Sequence, residues 1–373
     1  MENNDNNVVS TLQNSIQSMN ESVANTGIPV YSLADCLDKH PKSRLADLAK
    51  VLSIQKYSRL KKAELISCVS EKLTDIAILA SILTEVDEAE FTLFTDAATK
   101  GDISFQSAEH KPFHALHLFG LAAAFLKADT ITVIVPDEIK AVWAELAKTD
   151  FSEKKMRGEM IHRYAAAAVN LYGALSLEAL IALIRRFENT EPDLETVKTA
   201  LLAHISRSEP YYLWNSYVVN IVFGDEVDIL EELLDTASDI PRYVPEKDAF
   251  LKYESPVYYE DTPGSKAVAV ALGDIVGDVY LAGILTGDLR VMLAGGLDDD
   301  GCYRMLESSG IRFSDRKTEK TPAELLLGMR SETRLWETRG HTHDDDAWKR
   351  EIGRNDRCPC GSGLKHKKCC AGR

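Results

Sequence analysis

The chain has 373 residues, 45% hydrophobic and 27% charged, which is apolar material enough for two or three domain cores. Its net charge is −15, and the Met-Glu-Asn-Asn opening has no basic leader, which argues against a secretory signal. Seven cysteines over this length are too few for a disulfide scaffold and point to a reducing cytoplasm, with the thiols either inert or metal-bound.

The acidic total hides an asymmetry. Residues 39–72 hold nine Lys/Arg against three Asp/Glu, and residues 347–373 hold eight against two, so two stretches of +6 flank a strongly acidic body. Such stretches contact polyanions or are simply solvated faces.

In chain order, residues 1–29 are polar and read as a flexible arm or at most a short polar helix. Residues 30–75 read as two short helices. Ser43 is the expected cap of the first, with Leu45, Leu48, Ala49 and Leu52 on one face, and Ser58 of the second, with Leu65, Ile66, Val69 and Leu73. Residues 76–240 read as a helical domain with small strands. In it, 113–126 looks like an apolar helix and Thr130–Val135 like a β-branched strand ended by Pro136. From Glu159 to Phe223 the expected order is helix, turn, helix, helix, hairpin, with Asn215-Ser216 at the hairpin turn; this is the order of a winged helix. Prolines at 241, 245, 256 and 263 mark 241–264 as a linker, 265–339 reads as a second helical domain, and 340–352 as a polar linker. The expected fold class is mostly α with minor β, followed by a small zinc hook at 353–373.

No phosphate loop, His-Glu-x-x-His or nucleophile elbow is present, so catalysis has little support, though a hydrolase or nuclease without a legible motif stays open. Asp274 and Asp278, four apart, read as the wetter side of a buried helix, with paired acids as the alternative. His110, His114 and His117 read as core or surface histidines, and His341 and His343 as part of a polar linker; both groups have a metal alternative. Cys36, Cys68 and Cys302 read as small hydrophobes. Tyr211, Tyr212, Trp214 and Tyr217 either stack bases or alternate into a core. Lys56, Arg59, Lys61 and Lys62, where two helices meet, form a candidate phosphate site.

One stretch carries chemistry. Cys358, Cys360, Cys369 and Cys370 fall within thirteen residues, with Pro359 stiffening the first pair and Gly361 and Gly363 permitting the turn back to the second. Four thiolates suit a closed tetrahedral Zn²⁺ site, and His366 is an alternative donor. So short a segment lacks a core of its own, so ligation would supply its folding energy.

The run Gly353-Arg-Asn-Asp-Arg-Cys-Pro-Cys-Gly-Ser-Gly resembles the SEC-C motif, the zinc hook at the C-terminus of the SecA translocation motor. The resemblance implies zinc on Cys358, Cys360, Cys369 and Cys370 and contact with a protein partner, by analogy a SecB-like chaperone or the ribosome. Arg357 departs from the commoner Pro. Upstream, Tyr57-Ser-Arg-Leu-Lys-Lys-Ala-Glu-Leu is similar to the small helical module at the start of the terminator Rho and to SAP modules, which implies nucleic-acid association. Thr333-Arg-Leu-Trp-Glu-Thr-Arg-Gly-His-Thr resembles a segment found before SEC-C tails in uncharacterised bacterial proteins. The function expected is a non-catalytic cytoplasmic adaptor; the alternative is a nucleic-acid-associated regulator.

Overall fold

The computed structural model describes residues 2–205, 210–311 and 321–343, together with 345, 365 and 367. These are mostly helical with two small sheets, and the chain divides into two compact units, residues 1–159 and 160–373.

The first unit opens with α1 (Glu2–Val23) and β1 (Asn25–Thr26). It continues through α2 (Leu33–Asp38), α3 (Lys42–Val51), a 3₁₀ turn at Tyr57–Arg59, α4 (Lys62–Leu73), α5 (Ile76–Glu85) and α6 (Glu88–Thr99). Then come β2 (Ile103–Gln106), α7 (His114–Leu118), β3 (Ala123–Lys127), β4 (Thr130–Ile134) and α8 (Asp137–Leu146). The sheet order is β1-β3-β4-β2, antiparallel except for β1 beside β3. One core joins Leu45, Leu65, Leu73, Leu79, Phe94 and Trp143, with the last two rings edge-on at 5.4 Å.

Three local expectations are corrected here. The first 29 residues are not a loose arm: Asn20 is buried and its Nδ2 donates to the carbonyls of Ser107 (2.9 Å) and Glu109 (3.0 Å), and β1 joins the sheet. Residues 113–126 are not one helix. Gly120 takes φ +75° between α7 and β3, and a Cβ there would meet Leu73 Cδ1 at 3.1 Å; a run apolar on all sides carries no period to separate helix from strand. Ser43 and Ser58 do not cap helices, since α3 begins after Pro41 and α4 after Lys61. The buried faces are nonetheless those expected, with Leu45, Leu48, Ala49, Leu65, Val69 and Leu73 inside.

The helix α9 (Phe151–Tyr172) carries the boundary between the units. In the second unit it is followed by β5 (Ala174–Ser176), α10 (Leu177–Glu188), α11 (Leu194–Ile205), β6 (Tyr211–Trp214) and β7 (Tyr217–Asn220). The sheet is antiparallel in the order β5-β7-β6, with strand β5 where the sequence suggested only a turn, Ser176 capping α10 and Asn215 at φ +52° in the hairpin turn.

Beyond it lie α12 (Val227–Thr236), α13 (Lys247–Leu251), α14 (Pro263–Val276), α15 (Val279–Ala294), α16 (Asp299–Ser308) and α17 (Pro322–Glu332). The proline-rich stretch 241–264 puts Phe250 and Tyr253 into the core around Tyr164 and Tyr211, so it is packed chain rather than a free linker. Asp274 and Asp278 do not share a helix. Gly277, at φ +70°, ends α14, and Asp278 caps α15 through its Oδ1, which accepts from Tyr280 N (2.8 Å) and Leu281 N (3.0 Å).

Candidate functional site

The basic cluster sits around the 3₁₀ turn between α3 and α4. Lys56 is exposed at φ +56°, and Arg59 and Lys61 are exposed beyond it, none with an ion-pair partner among the described residues. Lys62 is engaged: its Nζ donates to the Asp38 carbonyl (2.6 Å) and pairs with Asp38 Oδ1 (2.9 Å). Glu64 Oε2 accepts from Lys61 N at 2.6 Å, so a carboxylate already stands at the α4 N-terminus where a phosphate would sit. The helix dipole is therefore spent on Glu64, and the cations left for an anion are Lys56, Arg59 and Lys61.

Two of the three histidines pack against other rings. His117 is buried, with its ring edge-on to His40 at 5.1 Å, and His114 stacks on Phe113 at 4.4 Å. Burial, reinforced by His40, Arg44 and His114, pushes the His117 pKa down to about 4 from 6.5. Above pH 6.5 the folded and unfolded chains both hold this ring neutral. Between pH 6.5 and 4 only the unfolded chain takes up the proton, so native stability falls with pH, by about 3 kcal/mol near pH 4. Glu90, whose pKa burial raises, acts in the opposite sense, so the comparison to make is between wild type and His117→Leu. Urea melts at pH 7 and pH 4.5 should show a shallower acid decline in the variant; equal declines would contradict this assignment.

Elsewhere the hairpin splits its aromatics as a sheet should. Tyr211 is buried and its hydroxyl lies 2.9 Å from His162 Nδ1, while Tyr212, Trp214 and Tyr217 are half-buried. A small cavity of about 20 Å³ lies among Tyr253, Glu260, Arg290, Glu332 and Arg334. It has room for a water and none for an organic substrate. Burial lowers the pKa of Arg290 to about 10, and its Nη1 donates to the Asn170 carbonyl at 2.7 Å.

Residues 333–343, just ahead of the cysteine-rich tail, form a built mount. Trp336 is buried against Phe223 (5.3 Å between rings), and its backbone N donates to the Ala294 carbonyl at 2.9 Å. Arg334 lies 3.5 Å over the Tyr243 ring and pairs with Glu260 at 2.8 Å. Arg334 also bridges to Thr342, closing a loop at Gly340, whose φ of +84° and contact with Tyr172 (3.0 Å for a Cβ) exclude larger residues. His341 is buried rather than part of a solvated linker. Its Nε2 is 2.9 Å from the Pro241 carbonyl and its Nδ1 3.0 Å from Asp345 Oδ2, so neither nitrogen is open to a metal.

Cys358, Cys360, Cys369 and Cys370, with His366, lie outside the described residues. Among the described residues no group of three or more His, Cys, Asp or Glu gathers to hold a metal. Cys36 and Cys302 are buried, and burial pushes the Cys36 thiol up to about 12, which makes it a poor ligand. Four thiols within thirteen residues are a donor set whose chemistry fits zinc.

Residues 354–372 match the SEC-C motif. All four tail cysteines fall inside that match. The chain is also 39% identical over 70 residues to a protein translocase subunit SecA of Desulforapulum autotrophicum, covering 17% of this chain and 8% of that one. UPF0225 proteins of Yersinia pseudotuberculosis and Yersinia pestis are 38% identical over 60 residues, covering 16% of this chain and 38% of theirs. The chain thus spans well under half the length of these curated relatives. No solved structure matches. No helix among the described residues is long and apolar enough to cross a membrane.

Proposed function

We propose that this protein is a zinc-binding adaptor of the bacterial cytoplasm, without catalysis of its own. In this reading Cys358, Cys360, Cys369 and Cys370 hold one Zn²⁺, and the resulting basic hook contacts a protein partner, with a SecB-like chaperone or the ribosome as candidates by analogy. The supporting observation is the SEC-C match at 354–372, which encloses four thiol donors in a stretch with no core-forming periodicity. Zinc would supply the folding energy of the hook; the Lys and Arg around it offset thiolate charge and face an acidic partner surface. Three free thiols, Cys36, Cys68 and Cys302, accord with a reducing compartment.

A second reading, a nucleic-acid-associated regulator with a Rho N-terminal or SAP-like module, rests on exposed Lys56, Arg59 and Lys61, with Lys62 beside them. α11 adds little to it: Glu195 stands in its first turn after the capping Asp193, Lys198 pairs with Glu195 at 3.6 Å, and the exposed Leu202 (60%) is apolar.

Affinity capture on intact protein and on a variant lacking 347–373 separates the readings. A protein or ribosomal partner should be retained by the intact chain and lost from the truncation and from Cys360→Ser. Equal capture by the truncation would overturn the adaptor reading. RNA capture that survives truncation, falls steeply with salt and disappears in Lys56→Glu/Arg59→Glu/Lys61→Glu would establish the second.

A further inference from the structure

The helix α12 presents an open acidic stripe: Asp228, Glu231, Glu232 and Asp235 fall at i, i+3, i+4 and i+7 on one side of the helix. Val227 (37% exposed) and Ile229 (52%) lie at its two opposite edges, and Ile221 (55%) and Val222 (45%) are exposed in the preceding turn. Between 225 and 241 there are seven Asp/Glu and no Lys or Arg, and these acids form no ion pair among the described residues. A strongly anionic face with an apolar side chain at each edge suits a basic partner with some apolar side chains of its own.

The chain carries such a partner and delivers it to this place. Residues 346–373 hold eight Lys/Arg against three Asp/Glu, together with Trp348, Ile352 and Leu364. The residues shortly before this segment are held to the chain that follows α12: His341 Nε2 is 2.9 Å from the Pro241 carbonyl, and Arg339 Nη1 donates to the Ile240 carbonyl at 2.9 Å. An extended residue reaches up to ~3.5 Å, so about five residues of this segment cover the ~15 Å length of α12. Tethering at that distance gives an effective concentration of about a millimolar, enough for weak charge pairing to be populated.

We propose that the face of α12 is the docking site for the chain's own basic segment, residues 346–373. Docked, the segment neutralises the stripe and covers Ile229; an acidic partner must displace it, so the contact sets a threshold on partner binding. The docking is independent of metal, because the segment stays net positive with four thiolates and one divalent ion.

Zero-length carbodiimide coupling of the full chain at low salt tests this. Monomeric product should contain peptides joining Lys365, Lys367 or Lys368 to Glu231 or Glu232. Their yield should fall about fivefold or more in ~0.5 M salt, and likewise in Asp228→Lys/Glu231→Lys/Glu232→Lys, whose substitutions are all on exposed positions. The Lys100–Asp96 pair, at 2.8 Å, serves as the internal control for coupling. Absence of the tail–α12 peptides while the control forms would overturn the proposal. So would their appearance only in a crosslinked dimer, which would assign the face to a second copy, or coupling of α12 to Lys56 or Lys61 instead. Cys360→Ser should retain the coupling, so that failure of the zinc reading leaves this result readable.

Discussion

Replacing Lys155 by Met is expected to destabilise the first unit by about 3–5 kcal/mol. Lys155 and Glu159 are 7% and 5% exposed, one turn apart on α9, and their charged groups pair directly. The same ammonium donates to the carbonyls of Thr84 (3.1 Å) and Val86 and lies 6.0 Å from the Phe91 ring centre. Met fills the same volume but takes the Lys155 ammonium away from a buried carboxylate and removes the donor from two carbonyls. Part of the cost comes from the charge left on the buried Glu159 side chain, so Lys155→Met/Glu159→Leu should recover part of it. Chemical denaturation of the two variants checks both halves. A single variant within about 1 kcal/mol of wild type would mean that the pair is hydrated.

Trp336→Ala should cost the second unit about 3–5 kcal/mol, the range for deleting a large buried aromatic. The indole fills space that two glycines leave open. A Cβ on Gly173 would lie 2.6 Å from Trp336 Cδ2, and one on Gly295 3.1 Å from Cζ3. Gly173 also holds φ +75°, so Gly173→Ala should be harmful for strain as well as for overlap. With the indole gone, the loop 333–343 loses its buried anchor, and trypsin should cut after Arg334 or Arg339 faster than in wild type. An unchanged melting temperature together with an unchanged cleavage rate would contradict the packing described.

Much of this fold was legible where the residues carry a period or a cap. Ser176, Leu177, Leu180 and Ile184 announce α10, and Asn215-Ser216 between two aromatic, β-branched runs announces the β6–β7 hairpin. The failures have physical causes. The first helix is polar enough to read as an arm, yet Val8, Val9, Leu12, Ile16, Met19 and Val23 recur at helical spacing in the sequence, a signal diluted by the Asn and Ser between them. Strand β3 hides in an Ala-rich run because both its faces are buried. Residues 241–264 looked like a linker because prolines dominate their composition, whereas Phe250 and Tyr253 determine their packing. The mount at 333–343 was legible as a motif but not as a clamp, since its partners, Ala294, Tyr243 and Pro241, are remote in sequence. Likewise the phosphate site was read from charge alone; the pairing of Lys62 with Asp38, which weakens it, depends on tertiary structure.

Metal content is the most direct measurement on the central claim, that the tail is a zinc hook. Full-length protein purified without added zinc should contain about one equivalent of zinc per chain. Cys360→Ser should lower it, and chelation should leave the thermal transition of the body nearly unchanged, because ligation supplies the stability of the hook alone. A full equivalent retained after replacement of Cys358, Cys360, Cys369 and Cys370 together by Ser would contradict the account.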